Sequence, residues 1–152
     1  MRFWMLAAGV TLAIGAAAPA ALAQGDVVAE RRAGFRMLGQ TMEAFTQAVQ
    51  QRGDTRALAP RVDQMIAFIQ SVPGRVPTAS LTPPQPQGTN PGQTRALAAI
   101  DADRAGFATR ATNMAALFAS LKTAAEAGTV TADTLRTTGA GCGACHSAFR
   151  AR

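Results

Sequence analysis

The chain has 152 residues, a formal charge of +6, 48% hydrophobic residues and no tyrosine. That length suits one core and one domain. Nearly all the positive charge is arginine, with Lys122 the only lysine. Such a balance suits an anionic surface or an acidic partner, while the scarcity of aromatics and the lack of a reading helix argue against nucleic acid.

The first two dozen residues read as an address rather than as fold. Met1-Arg2 places a charge before an apolar run from Phe3 to Ala18, and Ala21-Leu22-Ala23 gives the small-x-small pattern of a signal-peptidase site. The run is about 16 residues, short of the roughly 20 a spanning helix needs. The expectation is a cleaved signal peptide over residues 1–23, an exported domain over 24–152, and no stable membrane insertion.

Four segments follow with apolar residues at alternating steps of three and four, the pattern of helices packed along a seam. The first spans about 26–51, with Val28, Phe35, Leu38, Met42, Phe45 and Val49 in register. Gly53-Asp54 ends it, and the second spans about 55–72 through Leu58, Val62, Met65 and Ile69. From Pro73 to Gly92 six prolines lie among glycines and polar residues, which rules out regular structure there. The third segment spans about 93–127, including Ile100, Phe107, Met114, Phe118 and Leu121, and Gly128 stops it. Thr131 is the N-cap of the fourth, which carries Leu135, Thr138, Cys142, Cys145 and Phe149. No stretch alternates as a half-buried strand does. The fold class predicted is all-α: an antiparallel four-helix bundle with a long Pro-rich crossover loop between helices 2 and 3.

Two charges break the apolar seams, Arg31 in the first helix and Arg104 in the third. An inward charge is costly unless paired. Arg104 is expected to reach out to solvent near the bundle end, and Arg31 to hold an anion such as a carboxylate in bidentate geometry.

The chemistry concentrates at the end of the chain, in Cys142-Gly143-Ala144-Cys145-His146, which holds both cysteines and the only histidine. On a helix the two thiols lie one turn apart on one face, and the imidazole sits one turn beyond Cys142. This spacing lets two sulfurs bond the vinyl groups of one haem while the adjacent imidazole reaches its iron, so the motif reads as a c-type haem attachment site. A thioredoxin-like site would want a strand and a parallel sheet. Zinc would need further ligands from carboxylates, and a disulfide within one helical turn is poor geometry. Gly139, Gly141 and Gly143 each cost roughly 1 kcal/mol of helix propensity relative to alanine, which close approach of a flat macrocycle would offset.

Only six residues follow His146, so a second axial ligand would have to come from upstream, where Met37, Met42, Met65 and Met114 are the candidates. Register puts Met42, Met65 and Met114 on inward faces, where methionine is commonly core filler. One turn after Arg31 stands Phe35, which cannot coordinate. With Arg31 on a haem propionate, Phe35 would close the open side of the ring and leave the iron five-coordinate.

These features together resemble cytochrome c prime, the class II c-type cytochromes. The resemblance covers residues 24–152 and rests on Cys142-Gly143-Ala144-Cys145-His146 with Phe149-Arg150, on Val28-x-x-Arg31, and on the Pro-rich crossover. It implies Cys142 and Cys145 as thioethers to one covalent haem c and His146 as proximal iron ligand. It further implies Arg31 as a propionate contact, Phe35 on the distal face, and Arg150 as a charge beside the proximal histidine. An apolar distal residue implies high-spin iron, and the family also allows a homodimer. The expected function is a periplasmic haem c protein that binds NO and CO, transfers electrons, or both, without being an enzyme. The alternative is a six-coordinate low-spin electron carrier with an upstream methionine as sixth ligand.

Overall fold

A computed structural model describes residues 18–152, with side chains from residue 27 onward. Most of the expected signal peptide therefore lies outside the described residues. Five α-helices are present among them: α1 (Ala18–Gln50), α2 (Ala59–Ser71), α3 (Ala99–Ala102), α4 (Arg104–Ala127) and α5 (Ala132–Phe149). The four long helices form the bundle, and there is no strand among the described residues. No described helix is long and apolar enough to cross a membrane.

The breaks follow from local chemistry. α1 ends where Arg52 takes a left-handed φ of 53°, one residue before the Gly53 that the sequence pointed to. Gly128, at φ 72°, caps α4 in the left-handed region that glycine enters without a Cβ clash, and its N–H is shared by the Ala124 and Ala125 carbonyls. Thr131 caps α5 as expected, through a reciprocal capping box with Thr134. The third segment starts later than its periodicity suggested. Asp103 leaves helical geometry and caps α4 by accepting from the Gly106 N–H, which separates short α3 from long α4. α1 in turn begins at Ala18, upstream of the predicted start near residue 26.

Chain direction alternates through the bundle, so the two tight connections fall at one end and the crossover at the other. The end with the tight turns is filled: Phe45, Val62, Met65, Leu121 and Ala125 are fully buried. At the other end the crossover runs through short 3-10 turns at Val72–Arg75 and Thr78–Ser80. It then doubles back, with isolated bridges pairing Thr82 with Leu97 and Gln87 with Thr94. The end of the chain is sewn to it. The Leu97 N–H donates to the Phe149 carbonyl at 3.0 Å, and the Ala151 N–H to the Arg95 carbonyl at 2.8 Å. Hence the start of α1, the crossover and the Cys-x-x-Cys-His turn of α5 meet at one end of the bundle.

Candidate haem site

A cavity of about 630 Å³ opens at this end, bounded by α1, the crossover, α4 and α5. All six residues singled out in the sequence line it: Cys142, Cys145, His146, Arg31, Phe35 and Arg150. Its size falls within the roughly 300–1,000 Å³ of ligand pockets. The inner surface is apolar, from Leu38, Ile69, Val72, Ile100, Phe107 and Phe118.

Cys142 and Cys145 are free, half-buried thiols on one face of α5. Burial pushes both thiols above the usual cysteine range; at Cys145 the Arg110 guanidinium pulls the other way. The Cys142 Sγ lies 3.8 Å from Met114 Sδ on α4. Among the described residues no three His, Cys, Asp or Glu side chains converge as ligands of one ion would, so the thiols and imidazole are not arranged as a zinc cage.

His146 is half-buried, and burial, Arg150 and Arg95 all hold its pKa below the usual imidazole value. The ring is therefore neutral at pH 7, the form that can ligate a metal. Its Nδ1 lies 3.2 Å from Arg150 Nη1. A guanidinium only donates, so Nδ1 accepts here and the ring proton sits on Nε2. Ligation through Nε2 would transfer that proton to Nδ1 and loosen the Arg150 contact. Arg150 thus stands beside the histidine, where the resemblance put it.

Arg31, expected to hold an anion, also bonds the protein itself. It is only 5% exposed, and its donors go to neutral oxygens of the crossover. Nη1 reaches Ser80 Oγ at 2.9 Å and the Arg75 carbonyl at 3.3 Å, and Nη2 reaches Thr94 Oγ1 at 2.9 Å and the Ser80 carbonyl at 3.1 Å. Burial lowers its pKa. The side chain clasps the crossover to α1 and still borders the cavity. It is thus a buried cation with no carboxylate partner among the described residues, which suits an anion entering from the cavity. Arg104 turns out to solvent as expected, bonding Asp101 and the Val76 carbonyl.

Phe35 stands at the cavity mouth, 38% exposed, its ring edge-on to Phe68 at 5.2 Å. The methionine candidates divide. Met42 and Met114 line the cavity, whereas Met65 is fully buried outside its lining and Met37 lies off it. The glycines divide too. A Cβ on Gly141 would come within 2.3 Å of Leu117 Cδ1, so close packing of α4 on α5 requires that glycine, whereas Gly139 and Gly143 face open space. Of the three, only Gly139 borders the cavity.

Sequence reasoning missed the remaining arginines of the lining, Arg32, Arg36, Arg95 and Arg110. Arg32 and Arg36 stand one and five residues after Arg31, a helical spacing that places them near one edge of α1. No local signal ties Arg95 or Arg110 to the site, since the fold alone brings them there.

The model of the family described as Cytochrome C' matches residues 26–150. The chain belongs to the cytochrome c' family. Cytochrome c' from Thermochromatium tepidum shares its fold, with a TM-score of 0.57 at 17% identity over 85% of this chain and 97% of that one. No curated protein matches the chain. Family membership makes it a haem c protein. The residues fit that group: an apolar slot, two thiols one turn apart, a neutral imidazole beside them, and cations at the mouth for two carboxylates.

Proposed function

We propose that this is an exported, periplasmic haem c protein in which Cys142 and Cys145 attach one haem covalently and His146 is its only protein axial ligand. Bound haem supplies an iron centre that takes up small diatomic gases and changes by one electron. The chain's own residues set which of these reach it. α5 presents the imidazole in its neutral form, and Arg31 and its neighbours neutralise the propionates. The apolar wall of α1 offers no ligand where Phe35 stands, so one side of the metal stays open, and NO and CO are the ligands its polarity favours. Among the described residues no distal histidine or carboxylate lines the cavity to serve as an acid or base for peroxide cleavage, which supports a binding and electron-transfer protein rather than an enzyme. Residues 1–23 serve as the export signal.

The observation that carries this reading is the convergence of all six sequence-predicted residues on one cavity. The test is the optical spectrum of haem-loaded protein with and without NO. Broad high-spin bands that change with NO are expected, whereas sharp, split low-spin bands in the ferrous protein would overturn five-coordination. The six-coordinate reading now narrows to Met42, which lines the cavity from α1, since Met114 contacts the attachment cysteine instead. Met42→Ala leaves the spectrum unchanged if iron is five-coordinate.

A further inference from the structure

We propose that the mouth of the haem cavity is the docking surface for an acidic protein partner. Among the described residues six arginines border this cavity, Arg31, Arg32, Arg36, Arg95, Arg110 and Arg150, and no aspartate or glutamate does. They come from α1, the crossover, α4 and the end of α5, so the ring is a product of the fold rather than of one basic run. Among the described residues, the basic side chains that form ion pairs are Arg56, Arg75, Arg104, Lys122 and Arg136. None of these five lines the cavity. Among the described residues charge is thus balanced over the rest of the bundle and left unbalanced around this opening.

The function proposed above, on which this inference rests, uses part of that charge. Two haem carboxylates would offset two of the six positive charges. Arg31 is committed to the crossover, and Arg32 bonds the Thr89 and Asn90 carbonyls. Arg36 and Arg110 are exposed and have no hydrogen-bond or ion-pair partner among the described residues. Such a surplus costs self-repulsion and adds nothing to the stability of the fold, but it steers an oppositely charged surface toward the opening. Guanidinium suits this task because it grips carboxylates in bidentate geometry. Phe35, the only large apolar side chain exposed among the described residues, stands within the ring. One aromatic encircled by arginines has the make-up of a protein interface, with an apolar centre and a charged rim. A membrane-binding face would instead present a broad apolar stripe, which these helices keep inside.

Haem-loaded protein and an acidic flavodoxin as probe test this. Binding is measured by titration calorimetry at low and high ionic strength for wild type, for Arg36→Glu with Arg110→Glu, and for a control, Arg52→Glu with Arg61→Glu. The two double variants change net charge equally, and the control positions lie outside the cavity lining. The expected result is an affinity loss of roughly tenfold or more at low salt for the rim variant, less than about threefold for the control, and weakening of the wild-type complex as salt rises. Equal losses in both variants would reduce the effect to net charge and overturn the proposal. So would rim-dependent binding seen with phosphatidylglycerol vesicles but not with the flavodoxin. The NO spectrum of the same preparation reports separately on the haem reading, so either can fail alone.

Discussion

The two ends of the bundle are built from the same four helices and treat packing and charge in opposite ways. At the end with the tight turns, Phe45, Val62, Met65 and Leu121 leave no exposed surface, and Lys122 ties α4 to α2 through Asp63 at 2.8 Å. At the crossover end a cavity opens into the core, and among the described residues arginines face it without carboxylates. A bundle selected for stability alone would fill both ends. The difference shows which end is scaffold and which is site.

That contrast can be broken most forcefully at the filled end. Phe45→Ala should cost about 3–5 kcal/mol in denaturant unfolding, because a fully buried ring leaves a void that its neighbours only partly close. At the site end the largest loss belongs to a charge. Arg31→Met should cost roughly 3 kcal/mol, since it removes the hydrogen bonds that the guanidinium donates to the Ser80 and Thr94 hydroxyls and to the Arg75 and Ser80 carbonyls, and so frees the crossover. Hydrogen exchange should then quicken in residues 75–94 while α2 and α4 stay protected. A variant that loses stability without that local change would contradict the clasp.

Phe35→Ala should cost only about 1 kcal/mol, the worth of its edge-on contact with Phe68. Its effect should fall on access instead. Removing about 1 kcal/mol of steric barrier speeds CO association by roughly fivefold in flash photolysis. An unchanged rate would place the entry route elsewhere.

The smallest effect is a pH dependence of the polypeptide before haem attachment. His146 has a lowered folded pKa, so the folded state binds fewer protons and stability falls as pH drops below the unfolded value of 6.5. The raised pKa values of the two thiols act at the other limb, lowering stability as pH rises above 9.0. Between these values the contribution is flat. Chemical denaturation across that range checks it, and His146→Gln should remove the acid limb that the imidazole contributes.

Much of this was legible in the sequence because helices are written by local rules. Seam residues, Gly128 and Thr131 set the ends of α4 and α5 wherever the rest of the chain lies. The attachment motif was equally local, with five consecutive residues specifying one face of one helix. What was not legible depends on distant segments meeting. The partners of Arg31 sit 44 to 63 residues away in a Pro-rich stretch that has no periodicity to read. Gly141 looked like a concession to a cofactor, yet Leu117 on α4 explains it. The cationic ring could not be read at all, since Arg95 and Arg110 acquire their roles only when the crossover folds over the bundle end.

The most direct test of the account is intact mass combined with the ferric and ferrous spectra of protein matured in an exporting host. Residues 24–152 carrying a single haem, with broad high-spin bands, is the predicted result. Colourless protein with the mass of polypeptide alone would contradict it.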